Sequence, residues 1–295
     1  MSLLLGLFFA HVAALGFGLC GLLVVLPKVQ TWAANTAAVP VLNFGMQYAG
    51  LVHIVFGAIT MLATGMRCLG ARRTALFFVV SVVVSLSYEL LGTSTGWPFG
   101  AYSYTSGLGV RVFERVPVSI PLSWFYMGFA SYLLADALVQ RLTPGGWPGW
   151  PVLLGTWLLV SWDIVLDPAM SHPRLPAQFW VWHVNGPYYG MPLTNLAGWA
   201  LTGLTFLASS RYLWGQVHPG ENMAVSIPLM MYVANLAFAM VLSLWVGLWI
   251  PPILAGLSGI GPVCAVLLAY RLKQCGTLSR LVRKPAQNTA TTRAT

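Results

Sequence analysis

LLVSWDIVLDP, residues 158–168, is an apolar segment that carries two aspartates, Asp163 and Asp167. A second apolar segment, VVVSLSYELLG at residues 82–92, carries Glu89. Three of the chain's six acidic residues therefore lie in sequence that is apolar enough to enter a bilayer. An ionisable side chain at membrane depth costs free energy, so it marks a functional site by default. The two segments predict a membrane-spanning fold and proton chemistry on an apolar molecule.

The composition of the whole chain is that of an integral membrane protein. Hydrophobic residues make up 58% of the 295 and charged residues 7%, whereas about a quarter of a soluble domain is charged. Stretches long enough to cross a hydrocarbon core about 30 Å thick lie at residues 3–26, 42–66, 74–91, 119–140, 150–167, 191–209, 225–249 and 251–271. We predict an all-α polytopic membrane protein of about eight transmembrane helices. Residues 1–272 are expected to form a single helical domain, and residues 273–295 a basic, disordered tail.

Basic residues are distributed unequally between the two ends of these predicted helices. One end carries eleven of the 15 Lys and Arg residues, and the other carries four, Lys28, Arg111, Arg115 and Arg174. Cytoplasmic loops are the ones enriched in Lys and Arg, so both termini are predicted to be cytoplasmic. The same rule accounts for the net charge of +9 without a nucleic-acid partner. Because the spans are helices and not barrel strands, the predicted location is a bacterial inner membrane.

Two long connections lie on the non-cytoplasmic side in this topology, at residues 92–118 and 168–190. In the first, the stretch 96–104, a turn at 106–109 and the alternating Val110, Val112 and Val116 indicate a short hairpin. The second contains Asn185-Gly186, a strong hairpin-turn signal, although Pro187 limits any returning strand to a sheet edge. We predict that both connections form lids over the helix ends.

The spacing of the three acids suggests why they would be chemically unusual. Asp163 and Asp167 are four residues apart and share one helix face, and Pro168 makes Asp167 the expected last helical residue. Glu89 lies three residues before Gly92, a suitable helix C-terminal cap. The helix dipole, partial burial and like-charged neighbours would each favour the neutral acid. A neutral carboxylic acid in an apolar site can protonate an alkene.

An ion pair is the alternative for these acids, because Arg111, Arg115 and Arg174 lie in the same connections and could hold a carboxylate ionised and inert. Histidines and cysteines show no spacing typical of a metal or redox site. The chain also has no dinucleotide-binding, phosphate-binding or serine-nucleophile motif. The inventory favours a reaction that needs neither a cofactor nor a metal.

Aromatic residues crowd the helix ends that carry the acids. Any one of them alone is explained by the aromatic belt at a membrane interface. Together they could line a groove for a polyene and stabilise a transient carbocation by cation–π interaction. The residues predicted to bind such a substrate are Trp97, Tyr102, Tyr104, Trp124, Trp162, Trp180, Tyr188, Tyr189 and Trp199.

Several ordered motifs resemble one known family. They are YELLG (88–92), GWPFGAYSY (96–104), VP (116–117), IPLSWF (120–125), WDIVLDPAM (162–170) and GPYYGMPLTN (186–195). Over about residues 85–200 the chain resembles the CruF-type carotenoid hydratases, which include gamma-carotene 1'-hydratases of bacteria and bisanhydrobacterioruberin hydratases of archaea. The motifs add Phe99 and Asn195 to the predicted substrate-binding residues.

The resemblance implies a hydro-lyase of carotenoid biosynthesis. Such enzymes add water to the terminal double bond of an acyclic carotenoid end and leave a tertiary alcohol. On this interpretation Glu89 or Asp167 donates the proton and Asp163 deprotonates the attacking water. The expected partners are a carotenoid substrate, the lipid bilayer and downstream carotenoid-modifying enzymes. Two alternatives remain at this point: a carotene cyclase that uses the same protonation without water, and a non-catalytic carotenoid-binding or transport protein.

Overall fold

The chain is a bundle of long helices in a computed structural model that describes residues 2–33, 39–105, 107–215, 226–268 and 271. The helices are α1 (Ser2–Cys20), α2 (Val29–Ala33), α3 (Val39–Cys68), α4 (Ala71–Thr95), α5 (Ser119–Leu142), α6 (Trp150–Met170), α7 (Leu193–Trp214), α8 (Ser226–Trp245) and α9 (Ile250–Ala255). A π-helical turn at Gly21–Val25 and a 3-10 turn at Leu26–Lys28 join α1 to α2. A second π-helical turn, Gly256–Ile260, prolongs α9 into a final helical stretch at 261–268. The tail predicted at 273–295 lies outside the described residues.

Seven helical segments of the described chain are long and apolar enough to cross a membrane. They are Leu3–Thr31, Gly50–Cys68, Ala71–Thr95, Ser119–Leu142, Trp150–Met170, Ser226–Trp245 and Ile250–Leu268. The remaining predicted span corresponds to α7, which has 22 residues but falls outside this set. Helix α7 is more polar than those segments because it contains Asn195, Thr202, Ser210 and Arg211, all of which are buried inside the protein. The all-α polytopic membrane fold is therefore confirmed, with α7 as a long helix in addition to the seven.

Helices α5 and α6 form the centre of the bundle. Helix α5 packs against α3, α4, α6 and α8, and α6 also packs against α7 and α9. Aromatic rings fill the middle of this core, where Phe77 stacks on Phe129 with ring centroids 4.4 Å apart. Gly128 of α5 makes room for the Phe206 side chain of α7, because a Cβ at this position would lie 2.5 Å from the Phe206 ring. Close packing of this kind holds the central helices in fixed register.

The two long connections pair with each other. Strand β1 (Tyr102–Tyr104) runs antiparallel to β4 (Trp180–Trp182), with Tyr102 opposite Trp182 and Tyr104 opposite Trp180. The prediction of a hairpin in the first connection with its turn at 106–109 is wrong, because Tyr102–Tyr104 pairs with β4 instead. The first connection forms a different hairpin, β2 (Arg111–Val112) and β3 (Val116–Pro117), which turns at 113–115. In the second connection, the chain after Asn185-Gly186 returns only as two isolated bridges, consistent with the limit set by Pro187. The connections thus form one joint cover over the helix ends.

Helix α4 is longer than its sequence suggested. It continues to Thr95 and ends at Gly96, which has a φ of 82° and donates its N–H to the Gly92 carbonyl at 2.8 Å. The prediction that Gly92 caps the helix and that Glu89 lies in its last turn is wrong. Gly92 instead makes room for Phe99, whose ring would lie 2.7 Å from a Cβ at this position.

Helix α6 continues past its internal proline. It ends at Met170, so Pro168 is not a stop and Asp163 lies almost two turns before the helix end. A proline inside a helix leaves the carbonyl four residues earlier without its N–H partner. That carbonyl belongs to Ile164, and the Tyr188 hydroxyl donates to it at 3.1 Å. This bond from the second connection compensates for the missing helical bond, and the prediction that Asp163 occupies the last turn is wrong.

Candidate active site

The three acids meet at one cavity of about 430 Å³, a size typical of small-molecule sites. Glu89 and Asp167 line the cavity, and Asp163 lies behind Asp167 on the same helix. The acids come from the C-terminal halves of α4 and α6, and Asn195 comes from the first turn of α7. The cavity therefore occupies the half of the bundle that the two connections cover.

Glu89 is surrounded by hydrogen-bond donors. The hydroxyls of Tyr102 and Tyr104 both donate to Oε2, the latter at 2.7 Å, and the Trp124 indole N–H donates to Oε1 at 2.8 Å. The two tyrosines reach the same oxygen because residues two apart on a strand point to the same face. An environment of three donors matches the acceptor-only character of an ionised carboxylate.

The tyrosine hydroxyls in this arrangement remain protonated. Burial raises the pKa of Tyr102 and of Tyr104 well above the ordinary value, and the negative charge of Glu89 raises both further. A raised tyrosine pKa extends the neutral, donating form to higher pH. Both groups therefore act as lasting hydrogen-bond donors and not as bases.

Asp163 and Asp167 form a carboxyl pair. The Asn195 side-chain N–H group donates to Asp163 Oδ2 at 3.0 Å and to Asp167 Oδ2 at 2.6 Å. The two carboxyl groups also lie within hydrogen-bonding range of each other. Two carboxyl groups this close in a buried site cannot both ionise and therefore hold at least one proton. Their surroundings differ from those of Glu89, which faces three donors.

Tryptophans enclose the space beside the acids. Trp199 lies over Trp124 with ring centroids 4.0 Å apart, and Trp162 meets Trp199 edge-on at 5.7 Å. On the side of the connections, the ring centroids of Tyr102 and Trp182 are 5.3 Å apart, and those of Tyr104 and Trp180 are 6.2 Å apart. Ring faces carry partial negative charge and attract cations, most strongly where water is excluded.

The structure brings most of the predicted binding residues to this cavity. Those that line it are Phe99, Tyr102, Tyr104, Trp124, Trp162, Trp180, Asn195 and Trp199. Trp97, Tyr188 and Tyr189 do not line it. Trp97 is 54% exposed and contacts the Tyr88 ring, while Tyr188 bonds to the α6 backbone and contacts the Tyr189 ring.

Two arginines of the connections, Arg111 and Arg115, bind backbone carbonyls. Arg111 donates to the Thr105 carbonyl at 2.6 Å, and Arg115 donates to the Thr93 carbonyl at 3.0 Å. Within the described part of the chain, the hydrogen bonds to the three acids come from Tyr, Trp and Asn side chains. The arrangement differs from the ion pairs considered as an alternative.

A second polar group in the cavity wall was not found from sequence. Tyr126 donates to Asn235 Oδ1 at 2.8 Å, and the Asn235 N–H group lies 3.1 Å from His11 Nε2. His11 Nδ1 lies 2.7 Å from the His53 carbonyl. A carbonyl only accepts, so His11 donates from Nδ1 and accepts at Nε2. An amide within an apolar span was a signal for Asn235, but nothing in the sequence connects it to Tyr126.

The chain was compared with known proteins. The sequence profile of a family described as carotenoid biosynthesis protein matches residues 49–262. Bisanhydrobacterioruberin hydratase of Haloarcula japonica is 33% identical over 153 residues, an alignment that covers 51% of this chain and 50% of that protein. The chain thus spans about half the length of this curated relative. No solved structure matches the chain.

These matches agree with the ordered motifs around the acids. The family profile covers α4 to α8 and includes Glu89, Asp163 and Asp167. The resemblance to CruF-type hydratases is confirmed by the two comparisons together. This chain is a member of the carotenoid biosynthesis protein family.

Proposed function

We propose that the protein is a carotenoid hydratase that adds water to the terminal C=C bond of an acyclic carotenoid end group and gives a tertiary alcohol. It would act as a hydro-lyase without a cofactor, in the manner of a gamma-carotene 1'-hydratase. The observation that carries the proposal is the meeting of a carboxyl pair and a separate carboxylate in one tryptophan-lined cavity. A curated relative is itself named a hydratase.

Asp167 is the proposed proton donor because it lines the cavity. Its proton is transferred to C2 of the terminal double bond, and positive charge develops at the tertiary C1. In this proposal both carboxyl groups of the pair carry a proton before the reaction, so that Asp163 stays neutral when Asp167 donates. The carboxylate left on Asp167 then accepts hydrogen bonds from the Asp163 carboxyl and from the Asn195 N–H. Hydrogen bonds to the charged form stabilise it. Asp163 is therefore a positioning residue in this proposal, in place of the base that the sequence suggested.

Glu89 is the proposed base. Its negative charge stabilises the cation, and it accepts a proton from the water that attacks C1. A water molecule in the cavity then returns this proton from Glu89 to Asp167, so the net reaction is addition of one water. The hydrogen bonds from Tyr102, Tyr104 and Trp124 hold the Glu89 carboxyl group in place while it accepts and then releases this proton. Tryptophan ring faces hold the cation until water attacks.

Product masses test this proposal. The chain is expressed in cells that make lycopene or gamma-carotene, and the pigments are analysed by mass spectrometry. A hydratase gives products heavier by one or two waters, and growth in water enriched in heavy oxygen labels the new hydroxyl. An isomer of unchanged mass would instead show a carotene cyclase. Bound pigment without conversion in reconstituted membranes would show a carrier, and either result overturns the proposal.

The cellular setting is also a proposal. We place the covered end of the bundle on the non-cytoplasmic side of a bacterial inner membrane, with both termini cytoplasmic, because of the uneven distribution of Lys and Arg. Residues 1–272 would act as one membrane domain. The tertiary alcohol would be passed to downstream carotenoid-modifying enzymes.

A further inference from the structure

The cavity extends from the acids to the outer surface of α1. At its inner end it is lined by Glu89, which is 4% exposed. At its other end it is lined by Phe17, which is 63% exposed, and by Val29 of α2 and Gly45 of α3. A cavity whose walls pass from buried to exposed residues has an opening. This opening lies between α1 and α3, on a surface of the bundle that faces lipid in a membrane.

Small residues line the opening. Gly18, Gly21 and Gly45 all border the cavity, and a Cβ added to any of them would meet no atom within 4 Å. The regular helix is also interrupted here, because α1 passes into the π-helical turn at Gly21–Val25. Such turns are rare and occur frequently at functional sites. Together these features leave free space beside the α1 backbone.

The chemistry of the wall selects an uncharged apolar ligand. No lysine or arginine is among the described residues that line the cavity, and its acids, Glu89 and Asp167, lie at the inner end. A phospholipid headgroup would require a cationic partner for its phosphate. An extended hydrocarbon requires only apolar contact, which Leu22, Val25 and Leu26 supply along the opening.

We propose that the opening between α1 and α3 is a lateral portal for a linear polyene, which enters from the bilayer and keeps its distal chain there during the reaction. The identity of the ligand rests on the proposed function. A rod-like polyene is about as long as the hydrocarbon core is thick, about 30 Å, whereas the acids occupy one half of the bundle. The part of the chain that does not react must therefore leave the protein, and the portal provides the exit.

Closing the portal tests its role in turnover. Gly21→Phe and Gly45→Phe add a large side chain where space is free, so the fold is expected to persist. Gly16→Phe is the matched control, because Gly16 is also a helical glycine of α1 with no atom within 4 Å of an added Cβ, but does not line the cavity. We expect at least a tenfold loss of product in the first two variants at equal membrane levels, and none in Gly16→Phe. Equal product in all three would overturn the portal.

Photo-crosslinking tests the portal without relying on activity. A benzophenone amino acid replaces either Phe17 or Phe9, two α1 residues that are 63% and 60% exposed, of which only Phe17 lines the cavity. Membranes from lycopene-making cells are irradiated and the adducts are analysed by mass spectrometry. The portal predicts lycopene adducts at position 17 and phospholipid adducts at position 9. Acyl-chain adducts alone at position 17, or equal lycopene capture at both, would contradict it.

The two experiments separate the portal from the proposed function. Lycopene captured at position 17 by a wild-type-like chain that forms no hydroxylated product would support the portal and reject the hydratase. Product formed at normal rates by Gly21→Phe, together with equal capture at both positions, would reject the portal and retain the hydratase.

Discussion

Glu89 and Asp167 face the same cavity from opposite hydrogen-bonding environments. Glu89 accepts three hydrogen bonds from protein donors, whereas Asp167 lies against a second carboxyl group and one amide. Environments that separate the protonation states of two acids are a recurring basis for assigning acid and base roles. The two environments therefore support the different roles proposed for the two residues, acid for Asp167 and base for Glu89.

Removal of either acid is expected to suppress hydration. Asp167→Asn removes the donated proton, and Glu89→Gln removes the negative charge and places an N–H group where one carboxylate oxygen accepted hydrogen bonds. General acid–base groups contribute about 10² to 10⁴ in rate, so we expect a loss of product of that size in each. Glu114→Gln, at an exposed residue of the β2–β3 turn, is the control. Turnover near the wild-type level in both variants, measured with membrane levels matched by immunoblot, would reject the assignment.

The tyrosine donors are expected to matter less than the acid they contact. Tyr104→Phe removes one of two donors to Glu89 Oε2, at a cost of about 1 to 3 kcal/mol. If this hydrogen bond stabilises the transition state, turnover falls about 5- to 150-fold. The pKa of Tyr104 is raised well above the ordinary value. The Tyr104 hydroxyl should therefore keep its proton at about pH 10, where an ordinary tyrosine ionises, and wild-type activity should not decline there for this reason. An unchanged rate in Tyr104→Phe would remove the hydroxyl from the mechanism.

Sequence patterns predicted the acids better than their partners. Asp163 and Asp167 are one helical turn apart, so their proximity followed from spacing alone. Asn195 entered only through the resemblance, because nothing local links an amide to acids 28 and 32 residues earlier. Tyr126 and Asn235 are 109 residues apart and meet only in the packed bundle. Contacts of this kind depend on helix packing, which a single sequence does not specify.

At the scale of elements, helix ends were the least predictable feature. Apolar periodicity and length located the helices, but the ends also depend on side-chain hydrogen bonds to backbone carbonyls. In α4, the hydroxyls of Thr93, Ser94 and Thr95 donate to carbonyls one turn earlier. In α6, a hydroxyl from the second connection replaces the bond that Pro168 cannot make. Local rules for glycine and proline could not anticipate either compensation.

The Tyr188 bond should therefore stabilise the end of α6. Tyr188→Phe leaves the Ile164 carbonyl without its donor and is expected to lower stability by about 1 kcal/mol. The measurement is the midpoint of thermal unfolding of the purified protein in detergent. Tyr189→Phe is the matched control, because the Tyr189 ring lies next to that of Tyr188 and is exposed to solvent. An equal shift in both variants would show that the bond to Ile164 contributes nothing particular.

At the scale of the whole molecule, the orientation of the bundle in the membrane decides which side of the bilayer the acids face. The acids, the joint cover and the portal all lie in the same half of the bundle. The membrane fold class followed directly from composition, because a chain with 7% charged residues has too few of them to cover the surface of a soluble domain. The joint cover did not follow, because strands of three residues in separate connections carry no sequence signal that identifies their partner.

Labelling of single cysteines tests this orientation. In a cysteine-free background, Val110→Cys lies in the first connection and Trp147→Cys lies between α5 and α6, and both positions are exposed. A membrane-impermeant maleimide should modify position 110 in intact cells, and position 147 only after the membrane is permeabilised. The reverse pattern would place the site on the cytoplasmic side.

The pairing of β1 with β4 also affects how the protein matures. The tyrosines that contact Glu89 lie on β1, yet that strand is held by residues 180–182, which are synthesised about eighty positions later. A nascent chain that has inserted only α1 to α6 lacks the partner strand. The tyrosine donors therefore reach their final positions beside Glu89 only after the ribosome has delivered the second connection, and a partly made chain lacks this arrangement.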